Sequence, residues 1–292
     1  MNEIISCENI THYYGDKLIY KNINFDVERG KILGLLGKNG TGKTTIINIL
    51  NGYLTPTEGR CTIFGHDVRT LTARDKARIG ILLEGHVQYT FFNVYQIERF
   101  YSRFYPQWNA DAYYDLIKQM HIGEHQRISS MSCGQRSQVA LGLIFAQDPE
   151  LLILDDFSMG LDPGYRRLFV ERLSDFVHRG KKTVFLTSHI IQDMEMLIDD
   201  CMVFDYGRVL LHKPVSEILN TFHRYTFDSA YSDIPRVVGL WNTARVGNGW
   251  ETYSFQAPDK VRALLEPYDA KNLVCDDHLS LEDAFIGITG KY

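Results

Sequence analysis

Eight consecutive residues, Gly37-Lys38-Asn39-Gly40-Thr41-Gly42-Lys43-Thr44, fit the pattern G-x-x-x-x-G-K-[ST]. Glycines at these places let successive backbone N–H groups turn inward and cradle phosphate oxygens. A helix beginning at the end of the loop adds its partial positive charge. In that setting the Lys43 ammonium reaches the outer phosphates of a nucleotide and the Thr44 hydroxyl ligates Mg²⁺, with Thr45 next along the binding loop. The competing reading is an ordinary glycine-rich turn, which would match by chance in roughly one chain in a hundred of this length. The flanking sequence decides between them: Ile32 to Leu36 reads as a buried strand and Lys43 to Leu50 as a helix, the context a phosphate loop requires.

A second constellation stands further along. Leu151-Leu152-Ile153-Leu154 is an apolar run that ends in two carboxylates, Asp155 and Asp156. Alone, such a run is as well explained as a plain strand end. Beside a phosphate loop, the first acid suits Mg²⁺ and the second suits polarising an attacking water. Other pieces supply the scaffold. Ile79 to Leu83 and Thr183 to Thr187 read as strands, and Gly134 to Gln147 as a helix stopped by Asp148-Pro149. Asn93 to His121 reads as aromatic-rich helix, broken at Tyr105-Pro106 and capped again at Asn109. After Asn220 the texture changes: Tyr225 to Phe227 and Trp250 to Phe255 read as strands around a Gly-Asn-Gly turn, and Lys260 to Leu265 as a helix.

Composition bounds the classes. The chain has 292 residues, 45% hydrophobic and 23% charged, enough for a large domain with an appendage. Its longest apolar run, Val139 to Ala146, is far short of the ~18–20 residues that cross a bilayer, and the N-terminus shows no secretory pattern. Five scattered cysteines, without a CxxC, read as free thiols of a reducing cytoplasm. A net charge of −5 argues against nucleic acid as a partner.

Between the loop and the acidic strand lies Met131-Ser132-Cys133-Gly134-Gln135. Here the chain resembles the ABC (ATP-binding cassette) ATPases, whose LSGGQ signature holds this place in the order. Ser132, Gly134 and Gln135 match; Met131 and Cys133 depart. Gly160-Leu161-Asp162-Pro163 resembles the family's D-loop, and Leu186-Thr187-Ser188-His189 its switch-histidine segment. Tyr14-Gly15 resembles the aromatic loop that stacks on adenine, with Tyr13 as the competing ring. The resemblance spans about residues 3–215. Phe104 to Asn109 and Ser280-Leu281-Glu282-Asp283-Ala284-Phe285-Ile286 look most like the ABC-2 type exporter ATPases.

The resemblance implies an α/β fold: a P-loop NTPase, RecA-like core with an antiparallel β portion and an inserted helical subdomain at about residues 85–140. Residues 1–221 would form the cassette, and 222–292 a small C-terminal α+β appendage. It implies ATP and Mg²⁺ as cofactors and a head-to-tail pair of cassettes, homodimer or heterodimer. Each ATP would lie between the phosphate loop (Gly37, Lys38, Asn39, Gly40, Thr41, Gly42, Lys43, Thr44, Thr45) of one chain and Ser132, Gly134, Gln135 and Asp162 of the other. It further implies a separate transmembrane permease, on whose cytoplasmic face the cassette sits; the rings Phe91, Phe92, Tyr95, Phe100, Tyr101 and Phe104 are candidates for docking it near Glu84, and most of them read equally well as core at helical spacing. Asp155 would bind Mg²⁺, and His189 would sense the γ-phosphate.

Two positions depart from the family pattern. The usual glutamate base is Asp156, one methylene shorter; a misplacement of about 1 Å can cost on the order of 100-fold in rate. The usual Q-loop glutamine is Glu84, still able to hold Mg²⁺ or a water. Asp156 keeps open a weakly hydrolysing cassette of a heterodimer. A soluble, non-transport ABC protein is the alternative from another class; the single phosphate loop and the acidic balance count against it. His121 and His125, spaced i,i+4, are expected to be exposed helix residues and not metal ligands.

Overall fold

The computed structural model describes residues 2–85, 89–205 and 207–290. The chain opens on two long antiparallel strands, β1 (Glu3–Tyr14) and β2 (Lys17–Glu28), which bury Ile, Val and Phe on one side and expose charge on the other. β3 (Ile32–Gly37) carries the apolar run and passes through the glycine-rich loop into α1 (Lys43–Leu50). Next in the chain are β4 (Glu58–Ile63), β5 (His66–Asp67), α2 (Ala73–Lys76) and β6 (Ile79–Leu82). β4 pairs with β1, giving an antiparallel sheet in the order β2-β1-β4-β5.

The chain then leaves the sheets for α3 (Val94–Tyr101) and α4 (Ala110–Gln119), and returns through α5 (Cys133–Gln147) to β7 (Leu151–Leu154). Asn93 and Asn109 cap α3 and α4 with their side chains, which is why the aromatic segment divides there. His121 and His125 lie beyond the end of α4, in a turn and not on a helix as the sequence pattern suggests, because His121 takes a left-handed φ of 53° that ends the helix. Among the described residues no cluster of three or more His, Cys, Asp or Glu forms a metal site. α5 is buried on nearly all sides, between the main sheet and α3 and α4.

After β7 come α6 (Pro163–Gly180), β8 (Thr183–Thr187), α7 (Ile191–Glu195), β9 (Asp200–Asp205), β10 (Arg208–Pro214) and α8 (Val215–Thr221). The main sheet has the order β10-β9-β3-β8-β7-β6, parallel except for β10. Its central strands β3, β8 and β7 are buried almost throughout because helices or the antiparallel sheet cover both faces, while the edge strand β10 carries charge and is half exposed. Register fixes what meets at its edge. Leu35 of β3 pairs with Thr187 of β8, and Leu154 of β7 pairs with Leu186. The phosphate loop, Asp155-Asp156 and Ser188-His189 therefore emerge side by side from the carboxyl ends of three adjacent strands, where open α/β sheets bind ligands.

The remainder is β11 (His223–Asp228), β12 (Trp241–Val246), β13 (Gly249–Ser254), α9 (Pro258–Leu265), β14 (Lys271–Asp276) and α10 (Leu281–Thr289). The strands form an antiparallel sheet in the order β12-β13-β11-β14, with α9 over a small core that includes Tyr225, Phe227, Trp250, Val261 and Leu265. The Gly247-Asn248-Gly249 turn joins β12 to β13 and not β11 to β13 as the sequence pattern suggests; Trp250 pairs with Arg245 across that turn and with Phe227 of β11 on its other side. α10 behaves differently. It buries Leu281, Ala284, Phe285 and Ile288 in the core of the main domain, among Met194, Ile198, Val215 and Phe222. Among the described residues no helix is long and apolar enough to cross a membrane.

Candidate nucleotide site

A cavity of 420 Å³ opens at that edge of the main sheet. Tyr14, Asn39, Gly40, Gly42, Lys43, Thr44, Thr45, Glu84, Asp155, Asp156 and His189 line it, joined by Lys17, Ile19, Thr187 and Ser188. Tyr14 reaches the cavity and Tyr13 does not, so Tyr14 is the better placed of the two rings; its edge packs on His12 at 4.9 Å between ring centres.

Gly42 caps α1 at φ 99°, a left-handed conformation that glycine tolerates. A Cβ there would also sit 2.7 Å from Ile19, so β2 presses on the loop from behind. The Lys43 ammonium is buried and donates to the carbonyls of Gly37 (2.7 Å) and Lys38 (3.1 Å), closing the loop around itself. Burial lowers its pKa, and the nearby charges of Asp156 and Asp155 pull the other way.

Thr187 organises the two acids. Its hydroxyl donates to Asp155 Oδ1 (2.8 Å) and accepts from the Asp156 N–H (2.9 Å). Asp156 has φ 47°, left-handed for a non-glycine residue, and this turn swings its carboxylate toward β8. There Oδ1 accepts from the His189 N–H at 3.2 Å, and Oδ2 lies 3.1 Å from His189 Nε2 without hydrogen-bond alignment. Thr187 was not among the candidate site residues read from sequence. The available signal was a hydroxyl at the end of a central strand, beside an acidic pair.

Burial holds the Asp156 carboxyl above the ordinary carboxylate value of 3.8; His189 pulls it down, by charge and by its N–H, and Asp155 adds to the rise. A base must be deprotonated to act, so raising its pKa moves the acid limb of activity upward in pH. With Asp156 as the base of an ATPase, the acid limb of kcat/KM for ATP would lie above the ordinary aspartate range and would vanish in Asp156→Asn. Stopped pH-rate profiles of the two proteins check this.

Thr44, Asp155 and Glu84 face the same cavity, one hydroxyl and two carboxylates. These are hard oxygen donors, and too few for an all-protein cage. That suits Mg²⁺, which takes one or two carboxylates together with phosphate oxygens and water.

Gly37, Lys38 and Thr41 belong to the loop without lining the cavity, and the Lys38 side chain points away to Thr289. Ser132, Gly134, Gln135 and Asp162 stand outside the cavity as well. Ser132 caps α5: its Oγ accepts from the Gln135 N–H (3.2 Å), while the Gln135 amide oxygen accepts from the Ser132 N–H (3.1 Å). The Gln135 side chain is thus engaged in fixing Ser132, whose hydroxyl hydrogen still has an outward direction available. A Cβ on Gly134 would lie 2.5 Å from the Tyr165 ring, so close packing of α6 on α5 requires glycine there. Asp162 caps α6, accepting from the N–H groups of Gly164 and Tyr165, ahead of Pro163 as expected.

Comparison with known proteins agrees with this geometry. A family profile described as ABC transporter matches residues 20–158. The Nod factor export ATP-binding protein I of Neorhizobium galegae is 29% identical, covering 98% of this chain and 85% of that protein. Its namesake from Burkholderia lata is 30% identical over 70% of this chain and 68% of that protein. The solved structure of cbiO1 from Clostridium perfringens, part of the transporter complex cbiONQ, superposes with a TM-score of 0.64 at 25% identity, covering 75% of this chain and 91% of that one. Phosphate loop, acidic strand, signature helix and histidine strand stand in one order and one architecture, and the chain belongs to the ABC transporter ATP-binding family.

Proposed function

We propose that this chain hydrolyses ATP to power an exporter whose membrane pore is a separate permease subunit. The observation that carries the reading is the convergence of Lys43, Asp155, Asp156 and His189 on one cavity. Lys43 neutralises the outer phosphates, and Asp156 accepts the proton of the attacking water while His189 steadies the carboxylate. Thr44, Asp155 and Glu84 would hold Mg²⁺, which would supply charge neutralisation at the phosphates. Tyr14 offers its face to the adenine.

Two cassettes are proposed to close head to tail on ATP. Supporting this, Ser132, Gly134 and Asp162 lie outside their own chain's cavity, and Ser132 sits at the positive end of α5. Hydrolysis then removes the contacts that hold the pair shut, turning chemistry into motion. The heterodimer reading has one observation in its favour: the shorter Asp156, already turned toward His189.

Docking of the permease on the helical face is supported by a groove of 380 Å³ between β6, α3 and α5, lined in part by Leu83, Tyr101 and Tyr105. Phe91 and Phe104 are exposed beside this helical face, at 66% and 62%. The export names of the relatives, and the transporter complex to which the Clostridium protein belongs, support the same assignment.

Ser132→Asp tests the closed pair. Aspartate is as good a helix cap as serine, so α5 keeps its start, but its charge opposes phosphate. Light scattering in ATP, with hydrolysis blocked by Asp156→Asn, is expected to show a dimer that Ser132→Asp abolishes, while ATP affinity of the single chain stays within about 3-fold, far less than the roughly 10-fold that 1.4 kcal/mol represents. A dimer that survives Ser132→Asp contradicts the head-to-tail arrangement.

A further inference from the structure

α10 touches the nucleotide machinery at both of its ends. At its start, the Leu281 N–H donates to Glu195 Oε2 at 2.8 Å, and Glu282 pairs with the Gln192 side chain. Glu195 and Gln192 belong to α7, the helix that begins two residues after His189. At its end, the Thr289 carbonyl accepts from Lys38 Nζ at 3.1 Å, and Asp205 of β9 lies 3.9 Å from the same ammonium. Lys38 belongs to the phosphate loop, and its backbone carbonyl is one of the two that hold the Lys43 ammonium. The last carbonyls of a helix carry its negative end, so a lysine there is well matched in charge.

The span between these ends is rigid. α10 has nine residues, about 13 Å at 1.5 Å per residue. Ser280 and Asp283 close a capping box at its start. Leu281, Ala284, Phe285 and Ile288 anchor it in the main core. α7 and the segment just after it lie directly on β3: a Cβ on Gly34 would meet Met194 at 2.6 Å and Ile198 at 2.7 Å. The final helix of the appendage thus links the histidine helix to the phosphate loop along a second route, independent of the sheet edge.

We propose that α10 is a strut that sets the spacing between the phosphate loop and His189, with Lys38 and Glu195 as positioning residues for hydrolysis. This rests on the ATPase reading given above. Neither side chain lines the cavity, so each acts through what it holds: Lys38 through the loop carbonyl that orients Lys43, Glu195 through the helix just after His189. The strut also gives the appendage a physical path to the site, since α10 packs on β12 and β13 as well as on α7 and α8.

Removing α10 would expose several large apolar side chains of the main core to water, so truncation would unfold the chain. The polar ends are the clean probes. Steady-state ATPase of the full chain is measured for wild type, Lys38→Met, Lys38→Arg, Glu195→Ala and the double variant Lys38→Met/Glu195→Ala, with the melting temperature of each as a check on folding. Each of Lys38→Met and Glu195→Ala is expected to lower kcat roughly 10-fold, inside the ~100-fold that a 1 Å misplacement can cost, with KM for ATP little changed. Lys38→Arg, which can still reach the Thr289 carbonyl, restores most of the rate. The double variant is no slower than the worse single one, because a strut cut at one end is already cut.

Wild-type rates in both single variants overturn the strut, as does a fall in kcat that tracks the loss of melting temperature. Multiplicative effects in the double variant, or a change in KM alone, also overturn it. Wild type without any Lys43-dependent turnover would instead overturn the ATPase reading on which the strut rests.

Discussion

Asp156→Asn is expected to lower kcat by about 10²- to 10⁴-fold, the range a positioned base contributes, while leaving KM for ATP within a few-fold. The asparagine keeps the size of the side chain, and its amide oxygen can still accept from the His189 N–H, so the loop after β7 holds its shape. Only the capacity to take a proton is lost. Asp156→Glu moves the opposite way. One added methylene carries the carboxylate about an ångström farther into the cavity, and kcat is expected to rise by up to ~100-fold. Phosphate release at saturating ATP, measured for both variants beside wild type, reads the two directions in one experiment. An unchanged rate in Asp156→Asn would remove Asp156 from the chemistry.

Lys43→Ala has the other large effect. The wild-type lysine is 8% exposed, its ammonium bound to two loop carbonyls and faced by Asp155 and Asp156. Without it those carbonyls lose a donor, the two carboxylates lose a neighbouring positive charge, and an incoming triphosphate meets net negative charge. A hydrogen bond to a charged group is worth about 1.5–3 kcal/mol, so ATP affinity is expected to fall about 10- to 100-fold and turnover to reach background. Titration calorimetry with ATP, together with the melting temperature, separates the binding loss from any loss of folding. Wild-type affinity in Lys43→Ala would place the triphosphate elsewhere.

The members of the candidate site were legible because they are side chains whose types and order are constrained. A lysine after a glycine, two acids after an apolar run, and a serine opening a helix are visible without coordinates. Their convergence is a consequence of parallel register: β3, β8 and β7 lie side by side, so the loops leaving their carboxyl ends meet at one edge. Asn109 and Asp162 were legible as caps for a similar reason, since a short polar side chain before a helix has few other uses.

The features that stayed hidden depend on distance in three dimensions. Thr187 looks like any strand residue until β8 places it between Asp155 and the Asp156 amide. The left-handed turn at Asp156 has no sequence mark, because aspartate is common in every loop. β12 and β14 were missed because their residues are only half-buried or exposed, which erases the alternation that marks a strand. Gly134 was read for its closeness to a ligand; the structure adds the Tyr165 ring as an occupant of the missing Cβ space. The direction of the Lys38 side chain, away from the cavity and onto Thr289, needed the whole appendage to be folded. Those two residues are 251 positions apart.

If Asp156 is the base proposed above, the cavity turns ATP over and does not merely hold it. Purified wild-type chain, incubated with excess ATP and Mg²⁺, quenched in acid and resolved into its nucleotides, measures this directly. Many ADP formed per chain, absent in Lys43→Ala, is the predicted result. Intact ATP retained at one per chain, with no ADP beyond the Lys43→Ala background, would contradict it.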